Sequence, residues 1–379
     1  MNFKFSEEHQ AFRQSVARFV DKEVVPQAQA IDERGEFPKE LFSRAGELGY
    51  FGLRYPEEIG GSNADMTMFC LMVEEIARGS MSLAAGVAMQ CLMSTNFICH
   101  FGTEDHRKRL LIPALKGEKI GAFALTEPNA GSDLAAIQTT AVKDGDSYIL
   151  NGRKTWITNA TVADFFTVLA TQDKSKGIKG VDFFLVEKGN PGLIIGKKID
   201  KMGVRASETT ELAFENCRVP KENLLGEEGT GFKNLMSILN QIRVMTGALS
   251  IGLSRAAYDA SVKYANERVQ FGGPIGKFQA IKHKLAEMAM QIELSTLIVY
   301  YGAWLIDQKV KCNKEAAMAK LYASEAANKI ADEATRIFAS YGFSMEYPAQ
   351  RYFRDARFLL YGGGTSEILK NIIAGEIGL

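Results

Sequence analysis

Apolar residues in the first third of the chain recur at the spacing of amphipathic helices. After Ser6, four apolar residues fall at positions i, i+4, i+7 and i+8: Phe12, Val16, Phe19 and Val20. This spacing marks one face of a helix, and acidic residues lie in its first turn. The patterning continues to about residue 119, with breaks at Pro26, at Pro38 and in the turn 56–61. We therefore predict an all-helical domain over residues 1–120.

The pattern changes after residue 120 to short strand-like runs separated by turn residues. Asp144-Gly145 and Asn151-Gly152 have the composition of type I′ hairpin turns, whose central residues need positive φ angles. The strand-like runs cover residues 147–150, 155–158, 165–170, 181–186, 193–195 and 211–214. Several short strands at this spacing favour a barrel or a sandwich. We predict a β-barrel domain over residues 121–230.

Helical spacing returns after Gly231. Five apolar residues fall at i, i+4, i+7, i+11 and i+18: Ile281, Leu285, Met288, Ile292 and Val299. Ser295, at i+14, is the one polar residue in this row. A long apolar stripe of this kind suits a helix bundle. We predict a four-helix bundle over residues 231–379, and hence an α+β multidomain protein made of a helical domain, a β-barrel and a helical bundle.

The composition is that of an ordinary globular protein and narrows the classes of partner. The 379 residues include 45 basic and 45 acidic residues, so the chain lacks the basic excess of a nucleic-acid-binding protein. No apolar run reaches the ~18 residues of a membrane span. The five cysteines lack the spacing of a zinc site or a disulfide framework, so we expect no metal. The N-terminus resembles neither a signal peptide nor a transit peptide, so we expect a cytoplasmic protein.

The candidate chemistry lies in two short blocks of sequence. The first is a turn-rich segment in which Gly131 gives backbone freedom and Thr126 and Ser132 supply hydroxyl groups. Clustered backbone N–H groups in such a turn form a nest for a phosphate or pyrophosphate. In the second block, Trp156 and Thr158 are two residues apart and would face the same side of a strand. An aromatic side chain beside hydroxyl donors and a phosphate nest predicts a site for a large planar cofactor.

These blocks resemble the signature sequences of the acyl-CoA dehydrogenase family of flavoproteins. The family's Thr-Glu-Pro-x-Ala-Gly-Ser-Asp signature matches the block that begins at Thr126, and its Trp-Ile-Thr strand matches the block that begins at Trp156. The resemblance implies that Thr126 and Thr158 hydrogen-bond the flavin ring, that Trp156 packs against the ring, and that Ser132 reaches the pyrophosphate. FAD is therefore the expected cofactor, held in the cleft between the three domains.

Further matches extend the resemblance over essentially the whole chain. Arg268 and Phe271 lie in an Arg-x-x-Phe-Gly motif, whose Arg in the family crosses a subunit interface to a neighbour's FAD pyrophosphate. Arg suits this role because its planar guanidinium pairs with phosphate oxygens. Gln279 matches a further cofactor contact, and Thr365 and Glu367 match a C-terminal segment that contacts FAD from the other side. The resemblance also implies an acyl-CoA substrate, a homotetramer built as a dimer of dimers, and an electron-transferring flavoprotein as electron acceptor.

The chain departs from the family at the catalytic base. The family removes the α-proton of an acyl-CoA with a Glu near the C-terminus, and alignment puts Gly363 at that position. Some branches place the Glu directly before the Arg that matches Arg243, and this position is Ile242. In the family, the backbone N–H at the base position also polarises the thioester carbonyl, and Gly363 retains that N–H. Loss of a general base costs roughly 10²–10⁴-fold in rate, so the ordinary 1,2-oxidation should be crippled.

The resemblance also indicates which residues contact the substrate. We expect substrate contacts at five positions: Ser132, Asn240, Arg243, Gly363 and Gly364. Asn240 is a further departure, because the family has Asp three residues before the Arg, and an amide replaces an acceptor with a mixed donor and acceptor.

Four hypotheses about activity remain open. The preferred one is 1,4-oxidation of an alicyclic acyl-CoA, because the chain resembles the cyclohex-1-ene-1-carboxyl-CoA dehydrogenases, which lack the Glu and use an Asp on an N-terminal helix as the base. Cys91 occupies that base position, but a thiol with a pKa of about 8.5 is mostly protonated at neutral pH. The alternatives are an enoyl-CoA reductase, a desulfinase-like enzyme in which Arg243 would hold an extra anion, and a non-catalytic flavin-binding scaffold.

Overall fold

The computed structural model describes residues 4–379 and has a helical domain, a curled β-sheet domain and a second helical domain in chain order, which confirms the predicted fold class. The helices of the first domain are α1 Glu7–Phe19, α2 Ala28–Arg34, α3 Lys39–Glu47, α4 Met66–Gly79, α5 Met81–Ala88, α6 Asn96–Phe101, α7 Glu104–His106 and α8 Ile112–Leu115. A π-helical turn, Met89–Ser94, joins α5 to α6.

Helix α1 begins and is buried as the sequence pattern predicts. The hydroxyl of Ser6 accepts a hydrogen bond from the backbone N–H of His9 at 3.2 Å, which satisfies one of the free donors at the helix start. Val16 and Phe19 are buried and Phe12 is half-buried, so the predicted apolar face packs on the domain core.

The middle domain is a seven-stranded sheet. Its strands are β1 Gly121–Ala124, β2 Thr140–Asp144, β3 Ser147–Thr158, β4 Phe165–Thr171, β5 Val181–Glu187, β6 Leu193–Lys198 and β7 Thr209–Pro220. The strand order is β1-β4-β2-β3-β7-β6, with β5 also paired to β4. Strands β1 and β2 run parallel to β4, and the other pairs are antiparallel. The sequence pattern missed β1 and did not name β2.

One of the two predicted hairpin turns is wrong. Strands β2 and β3 form a hairpin at Asp144-Gly145, as predicted. Asn151-Gly152 instead lies inside β3, at a register shift against β7. A Cβ atom on Gly152 would lie 2.5 Å from Oγ1 of Thr139, so glycine is needed here for a close approach at a bulge and not for a turn.

The C-terminal domain is built around three long helices that pack on one another and two shorter ones. Its elements are α9 Gly231–Glu267, the short hairpin β8 Val269–Gln270 and β9 Gly273–Pro274, α10 Gln279–Asp307, α11 Asn313–Phe338, α12 Pro348–Ala356 and α13 Ser366–Glu376. Helix α9 packs against α4, α10 and α11, and so joins the two helical domains. In the predicted stripe on α10, Met288, Ser295 and Val299 are buried, whereas Ile281, Leu285 and Ile292 are half-buried.

Two helical stretches are long and apolar enough to cross a membrane by length and composition, Met81–Phe101 and Gln279–Asp307. The first is 83% buried inside the protein, which is typical of a core helix. The second is only 28% buried. It exposes large apolar residues at helical spacing, which we call the α10 stripe: Met290, Leu294, Leu297, Tyr301 and Trp304.

Candidate active site

The structure brings the two predicted cofactor blocks side by side. The backbone N–H of Thr155 donates to the carbonyl of Thr126 at 2.9 Å. The ammonium of Lys154 donates to the carbonyl of Leu125 at 3.0 Å. Residues 29 positions apart in the sequence therefore form one surface, since β3 returns along the segment that follows β1.

A buried ion pair fixes the first block. The Lys154 ammonium lies 2.8 Å from Glu127 Oε1, and both side chains are almost completely buried. The Glu127 carboxylate also accepts hydrogen bonds from the backbone N–H groups of Gln138, at 2.6 Å, and Thr139, at 3.0 Å. Burial alone would raise the pKa of Glu127, but Lys154 and these donors outweigh it and lower the pKa. This pair was not predicted from the sequence, although Glu127 lies in the Thr-Glu-Pro signature.

The surface formed by these blocks has free hydrogen-bond donors. Trp156 has a φ of 60° at a bulge in β3 and is 57% exposed, and Thr158 is half-buried. Within residues 4–379, the hydroxyls of Thr126, Ser132 and Thr158 make no hydrogen bond to protein. The backbone N–H groups of Gly131 and Ser132 likewise donate to no described residue. An indole face beside unused hydroxyl and amide donors suits a flavin with a pyrophosphate.

A second predicted cluster projects from the bundle. Phe271 lies at the tip of the β8–β9 hairpin and is 95% exposed, with its ring against Phe278 at a centroid distance of 5.9 Å. The Arg268 guanidinium lies 5.5 Å from the ring centroid of Tyr341 and forms no ion pair with the described residues. Gln279 begins α10 and is exposed. This cluster, which we call the hairpin cluster, places an exposed aromatic ring and a half-buried cation at the surface of the protein.

The loop at the expected base position lies against α9. Gly363 has a φ of +74°, and a Cβ atom built there would lie 3.0 Å from Oγ1 of Thr246 and 3.7 Å from Cγ2 of Ile242. Gly364 follows with a φ of +107°, and Thr365 caps α13 by accepting a hydrogen bond from the backbone of Ile368. The two positions at which the resemblance leads us to expect a carboxylate therefore lie close together, and neither residue carries a carboxyl group.

A buried lysine that our sequence analysis did not single out holds this loop. Lys320 lies on α11 with no exposed surface, and its ammonium donates to the carbonyls of Gly364, at 2.7 Å, and Leu360, at 3.2 Å. Burial lowers its pKa to about 8. Glu367, one of the predicted cofactor contacts, is exposed in the first turn of α13.

The predicted substrate contacts on α9 form a polar pair. Arg243 is 7% exposed, and one of the terminal nitrogens of its guanidinium donates to Oδ1 of Asn240 at 3.1 Å. The Arg243 Nε has no hydrogen-bond partner in the described chain. Asn240 donates in turn to Asn313 at 2.8 Å. Burial lowers the pKa of Arg243.

The environment of Cys91 argues against a catalytic base. Its thiol is 3% exposed and donates to the carbonyl of Tyr50 at 3.6 Å, within the apolar core of the first domain. Its own carbonyl accepts a hydrogen bond from the hydroxyl of Tyr55 at 2.9 Å. Burial raises the pKa of the Cys91 thiol, so the thiolate that could accept a proton is disfavoured.

Comparison with known proteins places the whole molecule in one family. Models of the N-terminal, middle and C-terminal domains of acyl-CoA dehydrogenases match residues 6–118, 122–217 and 229–378. The chain belongs to the acyl-CoA dehydrogenase family. It is an FAD-dependent enzyme that oxidises an acyl-CoA, and the unused donors around Trp156 fit that cofactor.

Two relatives and one structure illustrate the similarity. The chain is 53% identical over 378 residues to a benzylmalonyl-CoA dehydrogenase of Aromatoleum aromaticum, covering 100% of both chains. It is 41% identical to a 3-(aryl)acrylate reductase of Clostridium sporogenes, covering 98% of this chain and 99% of that one. The structure of butyryl-CoA dehydrogenase from Megasphaera elsdenii superimposes with a TM-score of 0.96, at 40% identity and full coverage of both chains.

Proposed function

We propose that this enzyme oxidises the Cα–Cβ bond of an aryl-substituted acyl-CoA that carries a second carboxyl group on Cα, a thioester of the benzylmalonyl-CoA type. The observation that carries the proposal is Gly363, at the position where the resemblance leads us to expect the family's catalytic Glu. The 53% identity to a benzylmalonyl-CoA dehydrogenase supports this choice of acyl group.

Loss of CO₂ can replace removal of the α-proton. When the bond between Cα and its carboxylate breaks, the electron pair stays on Cα and is delocalised into the thioester carbonyl. The pair then forms the Cα–Cβ double bond as a hydride leaves Cβ, and bound FAD supplies the hydride acceptor. The products are CO₂, a 3-aryl-2-enoyl-CoA and the reduced cofactor. No proton leaves Cα, so a base at position 363 is unnecessary.

The residues around Gly363 support this chemistry in two ways. The backbone N–H of Gly363 can donate to the thioester oxygen and stabilise the negative charge that develops there. The side chains facing the loop are Ile242 and Thr246, neither of which carries a charge. A Glu at this point would repel the substrate's carboxylate, because like charges about 4 Å apart at an effective dielectric constant near 20 repel by about 4 kcal/mol.

The alicyclic substrate expected from the sequence is a competing candidate. It requires a proton acceptor at position 91, and the buried thiol of Cys91, bonded to the carbonyl of Tyr50, is poorly suited to accept one. A leaving-group elimination shares with our proposal an anionic group on the substrate, which Arg243 could bind.

Reduction of an aryl-substituted enoyl thioester is the second candidate. Its support is the 41% identity to a 3-(aryl)acrylate reductase. A reductase must deliver a proton to Cα, and Gly363 offers no side chain for that step. The experiment that identifies the substrate must therefore also test the direction of the reaction.

Three thioesters distinguish these candidates. The oxidised holoenzyme is mixed anaerobically with benzylmalonyl-CoA, with 3-phenylpropanoyl-CoA, which lacks only the carboxyl group, and with cyclohex-1-ene-1-carboxyl-CoA, while the flavin absorbance is recorded. We expect rapid bleaching with benzylmalonyl-CoA and bleaching at least about 10²-fold slower with 3-phenylpropanoyl-CoA, since the latter needs a base. Bleaching by the cyclic thioester alone would establish the alicyclic hypothesis instead. If none of the three thioesters bleaches the flavin but cinnamoyl-CoA oxidises the dithionite-reduced enzyme, the protein is a reductase. If the flavin absorbance changes in neither experiment, the protein is a scaffold.

We also propose that the enzyme is a homotetramer that passes electrons to an electron-transferring flavoprotein. The α10 stripe and the hairpin cluster support the first part, because exposed apolar surface of this extent is typical of a subunit interface. In such an assembly Arg268 and Phe271 would complete the cofactor site of a neighbouring subunit. Sedimentation of the holoenzyme and reduction of purified electron-transferring flavoprotein during turnover test the two parts separately.

A further inference from the structure

The guanidinium of Arg243 is a buried cation without an anionic partner. It is 7% exposed, its Nε has no hydrogen-bond partner, and no Asp or Glu in residues 4–379 forms an ion pair with it. Buried arginines are normally paired, because an uncompensated charge in the interior is costly. Glu74 and Glu75 follow this rule by binding three arginines, and Asp32 binds Arg354, whereas the buried Lys320 binds only backbone carbonyls.

The one side-chain partner of Arg243 is neutral. Asn240 offers its Oδ1 at 3.1 Å and uses its amide nitrogen to bind Asn313 at 2.8 Å. An Asn at this position fixes the guanidinium by a hydrogen bond but leaves its charge uncompensated. Asn240 therefore positions the Arg243 guanidinium and leaves its positive charge available to another group.

The backbone of Arg243 lies on α9 between the two residues of that helix that are nearest to the loop at the base position. Ile242 and Thr246 are the residues of α9 that face Gly363. Arg243 follows Ile242 directly and lies one turn before Thr246, at the i, i+3 spacing that places two side chains on neighbouring positions of a helix surface. Its side chain runs back along α9 to Asn240, as helical side chains do.

We infer that Arg243 binds the carboxylate on Cα of the substrate, with Asn240 holding the guanidinium in place, and that this contact selects 2-carboxyacyl thioesters over ordinary ones. The inference rests on the proposed function for the identity of the acyl group. A carboxylate would take the free Nε–H and supply the missing negative charge. The contact would also fix the orientation of the bond that breaks, so that its electron pair lies in line with the thioester π system.

A pair of ligands that cannot be oxidised measures this contact alone. Phenylmalonyl-CoA and phenylacetyl-CoA differ only in the Cα carboxylate, and neither has a hydrogen on an sp³ Cβ that could leave as hydride. Their dissociation constants are measured from the shift of the flavin spectrum in the holoenzyme. We expect the wild-type enzyme to prefer phenylmalonyl-CoA by about 10- to 100-fold, the range for a hydrogen bond between charged groups.

Asn240→Asp is the decisive variant, because it gives Arg243 an internal carboxylate without changing the size of the side chain. We expect the preference for phenylmalonyl-CoA to fall to about two-fold or less, with the dissociation constant of phenylacetyl-CoA unchanged within about three-fold. Arg243→Lys is the second variant, and it should reduce the preference by removing the Nε–H while keeping the charge. In turnover, both variants should raise KM for a 2-carboxyacyl-CoA more than they lower kcat.

The outcomes separate this inference from the proposed function. A preference that both variants leave unchanged would overturn the role of Arg243, even if benzylmalonyl-CoA is oxidised. A preference that both variants abolish would support the role of Arg243, even if benzylmalonyl-CoA is not the substrate. Equal binding of the two ligands by the wild-type enzyme would also overturn the inference.

Discussion

Replacing Gly363 by Glu should move the enzyme towards ordinary acyl-CoA oxidation and lower its stability. The φ of +74° at this position is a left-handed conformation that costs an L-residue roughly 1–2 kcal/mol. The new Cβ would also lie 3.0 Å from Oγ1 of Thr246, a hydroxyl that donates to the carbonyl of Ile242 and would have to shift. We expect the free energy of unfolding to fall by roughly 1–3 kcal/mol.

The Gly363→Glu substitution should have opposite effects on two substrates, faster reaction with one and weaker binding of the other. With 3-phenylpropanoyl-CoA, a positioned carboxylate should accelerate flavin reduction by roughly 10²–10⁴-fold, which is the usual contribution of a general base. With benzylmalonyl-CoA, repulsion between the two carboxylates should weaken binding by a factor on the order of 10 to 10³, from the few kcal/mol expected at about 4 Å.

Gly363→Ala is the matched control for this experiment. It introduces the same backbone strain and the same contact with Thr246 but no carboxyl group. Anaerobic stopped-flow measurement of flavin reduction with both thioesters, and urea unfolding of both variants, give the rates and the stabilities. If the Glu and Ala variants retain FAD and reduce it equally slowly with 3-phenylpropanoyl-CoA, then a missing carboxylate at position 363 is not what limits the ordinary oxidation.

Three further predictions follow from buried and exposed groups of the site. Glu127→Gln should lower the free energy of unfolding by about 3–5 kcal/mol and weaken FAD retention, because it leaves the Lys154 ammonium buried and unpaired; urea unfolding and the flavin-to-protein ratio measure this. Lys320 should make the free energy of unfolding rise by about 3 kcal/mol between pH 8 and 10.5, because its ammonium loses a proton near pH 8 in the folded protein but only near 10.5 in the unfolded chain. Urea unfolding at several pH values measures this rise, and a Lys320→Met variant that shows the same dependence on pH would contradict the prediction. Phe271→Ser should change the free energy of unfolding of the isolated subunit by less than about 0.5 kcal/mol, because this side chain is exposed, but it should weaken the oligomer and FAD binding. Light scattering measures the oligomer, and an unaltered oligomer would count against a role for the hairpin cluster at an interface.

The architecture could be predicted because its signals are local. The spacing of Phe12, Val16 and Phe19 gave a helix with the correct buried face, and the change from helical to alternating spacing marked the start of the sheet. The α10 stripe was not predicted, because an apolar residue on a helix gives the same signal whether it faces a core or the protein surface.

The failure at Asn151-Gly152 shows where local signals mislead. Asn-Gly is a strong hairpin signal when the glycine is needed for a positive φ angle. Here Gly152 has a φ of +150° within a strand, and Thr139, on a neighbouring segment, comes too close for a Cβ atom. That contact depends on the assembled sheet, so it could not be read from the dipeptide.

The cofactor motifs could be located from the sequence, but the groups that hold them could not. Lys154 and Lys320 look like ordinary surface lysines in the sequence, yet both are completely buried and bind backbone carbonyls of site loops. Their role depends on segments 27 to 44 residues away, which no periodicity connects. Similarly, Asn240 could be identified as a departure, but only the structure shows that Arg243 is left without an anion.

The central claim is that CO₂ leaves Cα in place of a proton, and a single-turnover measurement tests it most directly. The holoenzyme is mixed anaerobically with one equivalent of benzylmalonyl-CoA labelled in the free carboxyl group, and released CO₂, product thioester and reduced flavin are quantified together. The account predicts one CO₂ and one cinnamoyl-CoA for each flavin reduced, at equal rates. Flavin reduction that leaves the label in an unsaturated thioester would contradict it, because Cα would then have lost its proton without the family's base.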